Sequence, residues 1–338
     1  MTKARWIFWV LIAAFLWLMV SRQAEIQEAT VPLIRGQTDW ILAAALMQML
    51  YYAVFAGMFK FAFSTVDVKS RIRDLLPVTL SALFINVVAP TWGMAGAALY
   101  VDDVAHRGES PARAAAGTLL AQTADFGAFA IILAGGIAYL LFRHRLKGYE
   151  IAGTIILLVI TCSLTFSLLL GLWRPQLLRR LLDSAQNVVN SLAQRFRRTA
   201  ILSDGWAARS ASDFSMAAKA IEDRPERLAL TFIIALIAHL INIASLYSLF
   251  LAFHQGIELG PLVAGYAMGI LFWNVSPVPQ GIGVVEGVMA LVYASFGIHR
   301  VNAALVVLAF RGLNFWLPML AGFFLIRKVK IFGPKQET

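Results

Sequence analysis

Charge is what this sequence has least of. Only 14% of its 338 residues are Asp, Glu, Lys or Arg, against about 25% in an ordinary soluble domain. A soluble fold of this length could bury a large core, but it would need a charged surface that these residues are too few to make. Cysteine is scarcer still. The lone Cys162 lies inside an apolar run, which excludes an intrachain disulfide and a zinc finger. His106, His144, His254 and His299 sit at loop positions without metal-ligand spacing, so no metal is expected. Enzyme signatures are missing as well: no H-E-x-x-H, G-x-S-x-G or P-loop pattern occurs. Asp102-Asp103 has no further carboxylates at a Mg²⁺-binding spacing and reads as a solvated helix end. No catalytic residue and no cofactor is expected.

Apolar residues make up 59% of the chain, in runs long enough that the outer solvent must be lipid. The formal net charge of +10 then reads as cytoplasmic loops facing anionic lipid, not as a nucleic-acid surface. Runs of spanning length fall at 5–21, 40–62, 114–142, 150–172, 228–253 and 302–326. The first follows Lys3 and Arg5 and lacks a small-x-small cleavage site, so it is expected to stay as a membrane helix. The expected fold class is an all-α integral membrane protein, a polytopic helical bundle in the cell (inner) membrane with both termini cytoplasmic.

Two further apolar stretches, 77–101 and 260–297, are interrupted at Asn86–Gly96 and Asn274–Gly283. Proline removes a backbone donor and glycine weakens a helix, so each stretch is expected to form two short helices. The basic residues decide how the stretches sit. If 77–101 enters from the cytoplasm and turns back, the N-terminus, the 60–76 loop, segment 174–227 and the C-terminus all fall on one side; 260–297 then dips in from the opposite face. The cost is an external loop holding Arg143, Arg145 and Lys147. The chain reads as one transmembrane domain, 1–338. A first half (1–172) and a second half (228–330) are joined by a cytoplasmic connector, 174–227. Within the connector, Leu178, Leu181, Leu182, Ala185, Val188, Val189, Leu192 and Phe196 recur at helical spacing beside arginines, predicting an amphipathic helix on the membrane surface.

The two interrupted stretches resemble each other. Pro90 aligns with Pro279 and Gly108 with Gly297; Asn86 and Asn274 precede the breaks, while Gly93 and Gly96 answer Gly281 and Gly283. In this register Asp125 falls opposite Asn314, one turn from Arg311. Two inverted repeats, each with a broken re-entrant helix pair, are therefore expected, a transporter arrangement. Charges inside spans are expensive and default to functional sites, which singles out Asp125, Glu286 and Arg311. Glycine-opened half-helix N-termini suit an anionic headgroup. The candidate headgroup-binding residues are Asn86, Pro90, Gly93, Gly96, Asp125, Asn274, Pro279, Gly281, Gly283, Glu286, Arg311 and Asn314. Whether the three charged residues pair with one another or hold a ligand is open, and His239 and Asn242 share a helix face suited to an interhelical hydrogen bond.

Pro279-Gln-Gly-Ile-Gly-Val-Val-Glu286-Gly, then Gly297 and Ala304–Asn314 with Arg311 inside, resembles the closing motif of the lysylphosphatidylglycerol synthase transmembrane-region family, also called flippase-like domain proteins. Asn86, Pro90, Gly93, Gly96 and Gly108 resemble its first motif. There a Gly-Glu pair usually precedes an Arg, whereas this chain has Gly96-Ala97 and no Arg until Arg107. The resemblance implies a stand-alone module, without the soluble aminoacyltransferase domain, that moves or accommodates a lipid. The expected function is a flippase-like transporter of an anionic or amino-modified phospholipid or a polyprenyl-linked lipid. An accessory subunit of a lipid or glycan pathway and a membrane-embedded lipid transferase are the alternatives. Membrane lipids, a second copy of the chain or a separate lipid-modifying enzyme are the expected partners, and no nucleic acid is.

Overall fold

The computed structural model describes residues 36–88, 93–143, 173–195, 205–276 and 278–326, with scattered positions from 148 to 170. The expected span at 5–21, most of 150–172, Pro90 and the basic C-terminal residues lie outside the described residues. Among the described residues every regular element is a helix. In chain order these are α1 (Thr38–Thr65), α2 (Ile72–Val88), α3 (Met94–His106), α4 (Pro111–Phe142), α5 (Pro175–Arg195), α6 (Trp206–Asp223), α7 (Pro225–Ala252), α8 (Leu259–Val275), α9 (Val284–Ser295) and α10 (Arg300–Leu325).

Helices α1, α4, α7 and α10 are long and apolar enough to cross a bilayer. Their boundaries follow local chemistry. Ser110 and Pro111 start α4, with the Ser110 hydroxyl accepting from the Arg113 N–H at 3.4 Å. Pro225 starts α7 in the same N-terminal position. On α1 the two faces separate at helical spacing: Ala44, Gln48, Tyr52 and Ala56 point inward, while Leu42, Leu46 and Met49 are exposed. Large apolar side chains facing outward along a helix are what lipid contact requires. Helix α10 differs from the rest: 72% of its most apolar stretch is buried, against 33–39% in the other three, so it runs through the centre.

The interrupted stretches fold as helix pairs. In the first, α2 and α3 run antiparallel: the Tyr100 hydroxyl donates to Thr79 Oγ1 at 2.8 Å, and Arg107 reaches back to the Asp74 carbonyl at 3.2 Å. In the second, Tyr293 near the end of α9 donates to the Leu262 carbonyl near the start of α8 at 3.2 Å. Gly265 and Gly269 lie against Tyr293 and Met289, where a Cβ would collide. The breaks are shorter than the sequence suggested, because α2 continues through Asn86 to Val88 and α8 through Asn274 to Val275. At about 1.5 Å per residue the 12–13-residue arms reach only about 20 Å, short of the roughly 30 Å hydrocarbon core.

The two hairpins open at opposite ends of the bundle. Helices α1 and α7 pack antiparallel, with the Gln37 N–H on the Ala252 carbonyl at 2.9 Å, Ser245 on the Ala44 carbonyl at 3.0 Å, and Arg227 on the Ser64 carbonyl. The first hairpin opens where α1 ends and α7 begins; the second opens where α1 begins and α7 ends. Each leading arm then crosses to the other half. Gly136 of α4 admits Ala264 and Ala267 of α8, and Gly322 of α10 sits directly on the Leu80–Ser81 backbone of α2. Small residues at such crossings let backbones approach without a side chain between them. The hairpin tips meet in one apolar cluster with α10, formed by Phe84, Val87, Ile282, Phe315, Trp316 and Met319.

The described part of the connector holds two helices where the sequence suggested one. Helix α5 covers the expected amphipathic stretch with Leu178 buried and Leu177 and Leu181 exposed. Helix α6 is held by small residues, Ala207, Ala211, Ala217 and Ala218, whose modest apolarity hides its inward face from a hydropathy pattern. Burial raises the Asp213 carboxyl on α6 to about 6, against the opposing pull of Arg209.

Candidate functional site

Arg311 sits midway along α10 with 1% of its side chain exposed, so its charge must be met by protein. The second hairpin meets it. Gly283, at φ +82°, turns the chain into α9 and places Glu286 in the first turn. Glu286 Oε2 accepts from the Gly283 N–H at 2.7 Å, and its Oε1 takes Arg311 Nε at 2.6 Å. Arg311 Nη2 also donates to the Gln280 carbonyl at 3.2 Å, with Gln280 itself at φ +54°. The guanidinium lies 4.3 Å from the Phe315 ring centroid and 5.0 Å from that of Trp273. Nη1 is buried with no hydrogen-bond partner. A buried charge-bearing donor left open is rare and marks a place for water or a ligand.

Directly after Arg311, α10 loosens into a π-helical stretch, Gly312–Trp316. Pro318 follows and has no N–H for the Asn314 carbonyl four residues back; the Tyr52 hydroxyl of α1 donates to that carbonyl instead. The Asn314 side-chain amide donates to Asn242 Oδ1 at 3.0 Å, and Asn242 donates to the Tyr266 hydroxyl at 3.3 Å. Tyr266 pairs with His239 Nδ1 at 2.8 Å, and His239 Nε2 stands 3.3 Å from Asp125 Oδ1. That last contact has ion-pair distance without hydrogen-bond alignment, since Nε2 is left unpartnered by geometry. A polar chain thus joins α4, α7, α8 and α10, and α1 touches its far end through Tyr52. Asn314 Oδ1 and both amide atoms of Gln48, one turn before Tyr52, are buried and unpartnered.

The structure brings Glu286 and Arg311 together with Gly283 at the second tip, with Gly281 in the turn just before it, and turns Asn314 to Asn242 and Tyr52. It sends Asp125 to His239 and not to Arg311. Asn86 turns back across the first hairpin, its Oδ1 accepting the Gly96 N–H at 2.8 Å, with Gly93 at φ +84° opening α3. Asn274 donates to its own helix at the Ile270 carbonyl, 2.9 Å, and takes no part in the tip. Pro279 lies in the short 3₁₀ turn Pro279–Gly281 that precedes α9. The Gly96 and Gly283 amides, expected to cradle an anionic headgroup, are filled by the protein's own Asn86 and Glu286. Gln48, Tyr52, Tyr266 and Gln280 were not anticipated. Gln48 and Tyr52 had a signal, a polar i, i+4 pair inside an apolar span. Gln280 contributes a carbonyl, which residue type does not reveal.

The profile described as the lysylphosphatidylglycerol synthase TM region matches residues 6–322. A UPF0104 membrane protein from Methanocaldococcus jannaschii is 21% identical over 327 residues, 95% of this chain and 94% of its own. The four apolar helices agree with both in making this a membrane protein.

Proposed function

Since the chain belongs to the lysylphosphatidylglycerol synthase transmembrane-region family, we propose that it is a flippase-like transporter. Its cargo is an anionic or amino-modified phospholipid or a polyprenyl-linked lipid of the cell (inner) membrane. The observation that carries this reading is the meeting of two opposed hairpins over the buried Arg311–Glu286 pair. Both hairpins act as re-entrant segments of an inverted repeat, and the antiparallel α1–α7 contact supports that relation. Non-helical backbone at membrane depth is stable only where protein or water covers it, and such breaks mark transport sites. The headgroup phosphate takes the open Nη1 of Arg311 when the hairpin tips part, while acyl chains stay in lipid. Asn314 and Gln48 supply neutral hydrogen bonds beside it. Both termini face the cytoplasm, and the protein rearranges lipid without chemistry on it.

Reconstituted liposomes carrying fluorescent headgroup-labelled lipids test this. Wild-type protein is expected to expose labelled inner-leaflet lipid to an external quencher, and Arg311→Ala and Glu286→Gln to slow that exposure. Equal rates in all three proteins would sink the site. Absence of exchange across anionic, aminoacylated and polyprenyl-phosphate lipids would sink transport and favour an accessory role, and a lipid product of altered mass would favour a transferase.

A further inference from the structure

Asp125 and His239 are not used by the Arg311 site, and they stand in the middle of long helices. Of the charges at mid-depth, Arg311 and Glu286 cancel each other. Asp125 has His239 as its ion-pair partner, and no Lys or Arg pairs with it among the described residues. An ionised carboxylate beside a neutral imidazole leaves one negative charge in low dielectric, where it is costly. One proton removes that charge. Asp125 is 30% exposed, so a proton has access, while His239 is almost fully enclosed at 7%.

Hydrogen-bond arithmetic favours one neutral state. Tyr266 accepts from Asn242, and among the described residues His239 Nδ1 is the partner left for its own proton. The imidazole proton then sits on Nε2, facing Asp125. A second proton on the imidazole has to enter at Nδ1 and turns the Tyr266 hydroxyl away. Asn242, which shares Tyr266 with His239, also holds Asn314, three residues from Arg311. The protonation state is therefore tied through two side chains to the segment carrying the buried arginine.

We infer that Asp125 and His239 form a proton-binding site whose occupancy is coupled, through Tyr266 and Asn242, to the Arg311–Glu286 site. The groups around it are Asp125 from α4, Tyr266 from α8, Tyr51 from α1 and Tyr100 from α3, the last two within the field of Asp125. Phe129 of α4 covers the ring, its centroid 5.8 Å from that of the imidazole. From α10 comes Arg311, by way of Asn314. Helix α6 packs mainly on α4 and also touches α7, through the apolar cluster that holds Phe214, Ala217, Leu228 and Phe232. The pair binds and releases H⁺ without forming or breaking any other bond. Its coupling to lipid movement rests on the transport reading; proton binding does not.

Infrared pH-difference spectra of the full chain in phosphatidylcholine nanodiscs test the site directly. Acidification is expected to give a protonated-carboxyl or imidazolium signal. Asp125→Asn should lose a carboxyl component beyond that of Asp213, and His239→Gln an imidazolium component beyond those of the other histidines, with Asp125→Glu retaining a shifted carboxyl signal if Asp125→Asn fails to fold. Spectra identical to wild type in both variants overturn the proposal. The second arm follows labelled-lipid exchange in liposomes under an imposed pH gradient. Wild type should respond to the gradient and His239→Gln should lose that response. Exchange indifferent to the gradient in wild type overturns the coupling while leaving transport intact. Proton signals without any lipid exchange uphold the site and overturn transport.

Discussion

The two hairpins place their charges at opposite ends. The first is pinned at its mouth: Arg107 meets Asp74 at 3.3 Å and also Asp103, while Arg224 clamps Asp67 beside the start of α2. Its tip is neutral, closed by Asn86 on the Gly96 amide. Among the described residues the second has one long ion pair at its mouth, Arg143 to Glu258 at 4.0 Å between well-exposed groups, and its tip carries Glu286 against Arg311. In the register that aligns Pro90 with Pro279, Glu286 and Arg311 fall opposite Ala97 and Gln122. One hairpin is thus anchored at its mouth and the other at its tip, and on the proposed function the charged tip is the one suited to meet a charged headgroup.

The largest change should come from removing that central anchor. Arg311→Ala leaves Glu286 without its cation and should cost about 3–5 kcal/mol, the usual penalty for breaking a buried pair, read as a lowered unfolding midpoint in detergent. Glu286→Gln has one oxygen for either the Gly283 N–H or Arg311 Nε, not both, and should cost a comparable amount. Building the anchor into the wrong hairpin is the next test. Ala97→Glu alone places a carboxylate at the first tip without a partner and should cost up to about 2.5–3.5 kcal/mol. Adding Gln122→Arg should recover part of the loss if the two halves are equivalent, and a second additive loss would break the comparison. Asn86→Ala orphans the Gly96 amide and should cost about 1–2 kcal/mol, without the loss of lipid exchange expected from Arg311→Ala.

The smallest effect is at the first mouth and depends on pH. Hydrogen bonding from Arg224 holds the Asp67 carboxyl below its ordinary value. A depressed folded pKa gives stability that is present above the unfolded value and lost as pH falls through the folded one. Asp67→Asn should therefore lower the thermal midpoint slightly at neutral pH, with the difference closing once acid protonates Asp67 in the wild type.

Much of this architecture was legible because its cause is local. Proline and glycine clusters announce breaks wherever they occur, so both hairpins could be placed within a few residues. Periodicity likewise exposed the amphipathic helix α5. The site was only half legible. Glu286 and Arg311 stood out as charges in apolar sequence, but their pairing depends on how α9 meets α10. The contact from Tyr52 to Asn314 crosses most of the chain and leaves no trace in spacing. Asp125 was drawn towards Arg311 by the repeat register, whereas packing of α4 against α7 gives it to His239. Helix α6 escaped because alanine packs closely while adding little hydropathy.

The π-helical stretch of α10 amounts to a stored phase error. An α-helix advances about 100° and 1.5 Å per residue, and the wider turn at Gly312–Trp316 holds one residue more than an α turn would. Relaxing it would screw Leu317–Leu325 forward by that increment, carrying Gly322 off the Leu80–Ser81 backbone and freeing the Asn314 carbonyl from Tyr52. Deleting Leu313 would set that phase permanently, so the deletion variant should trap the bundle in its shifted register, seen as altered cross-linking between cysteines placed at Leu80 and Phe323.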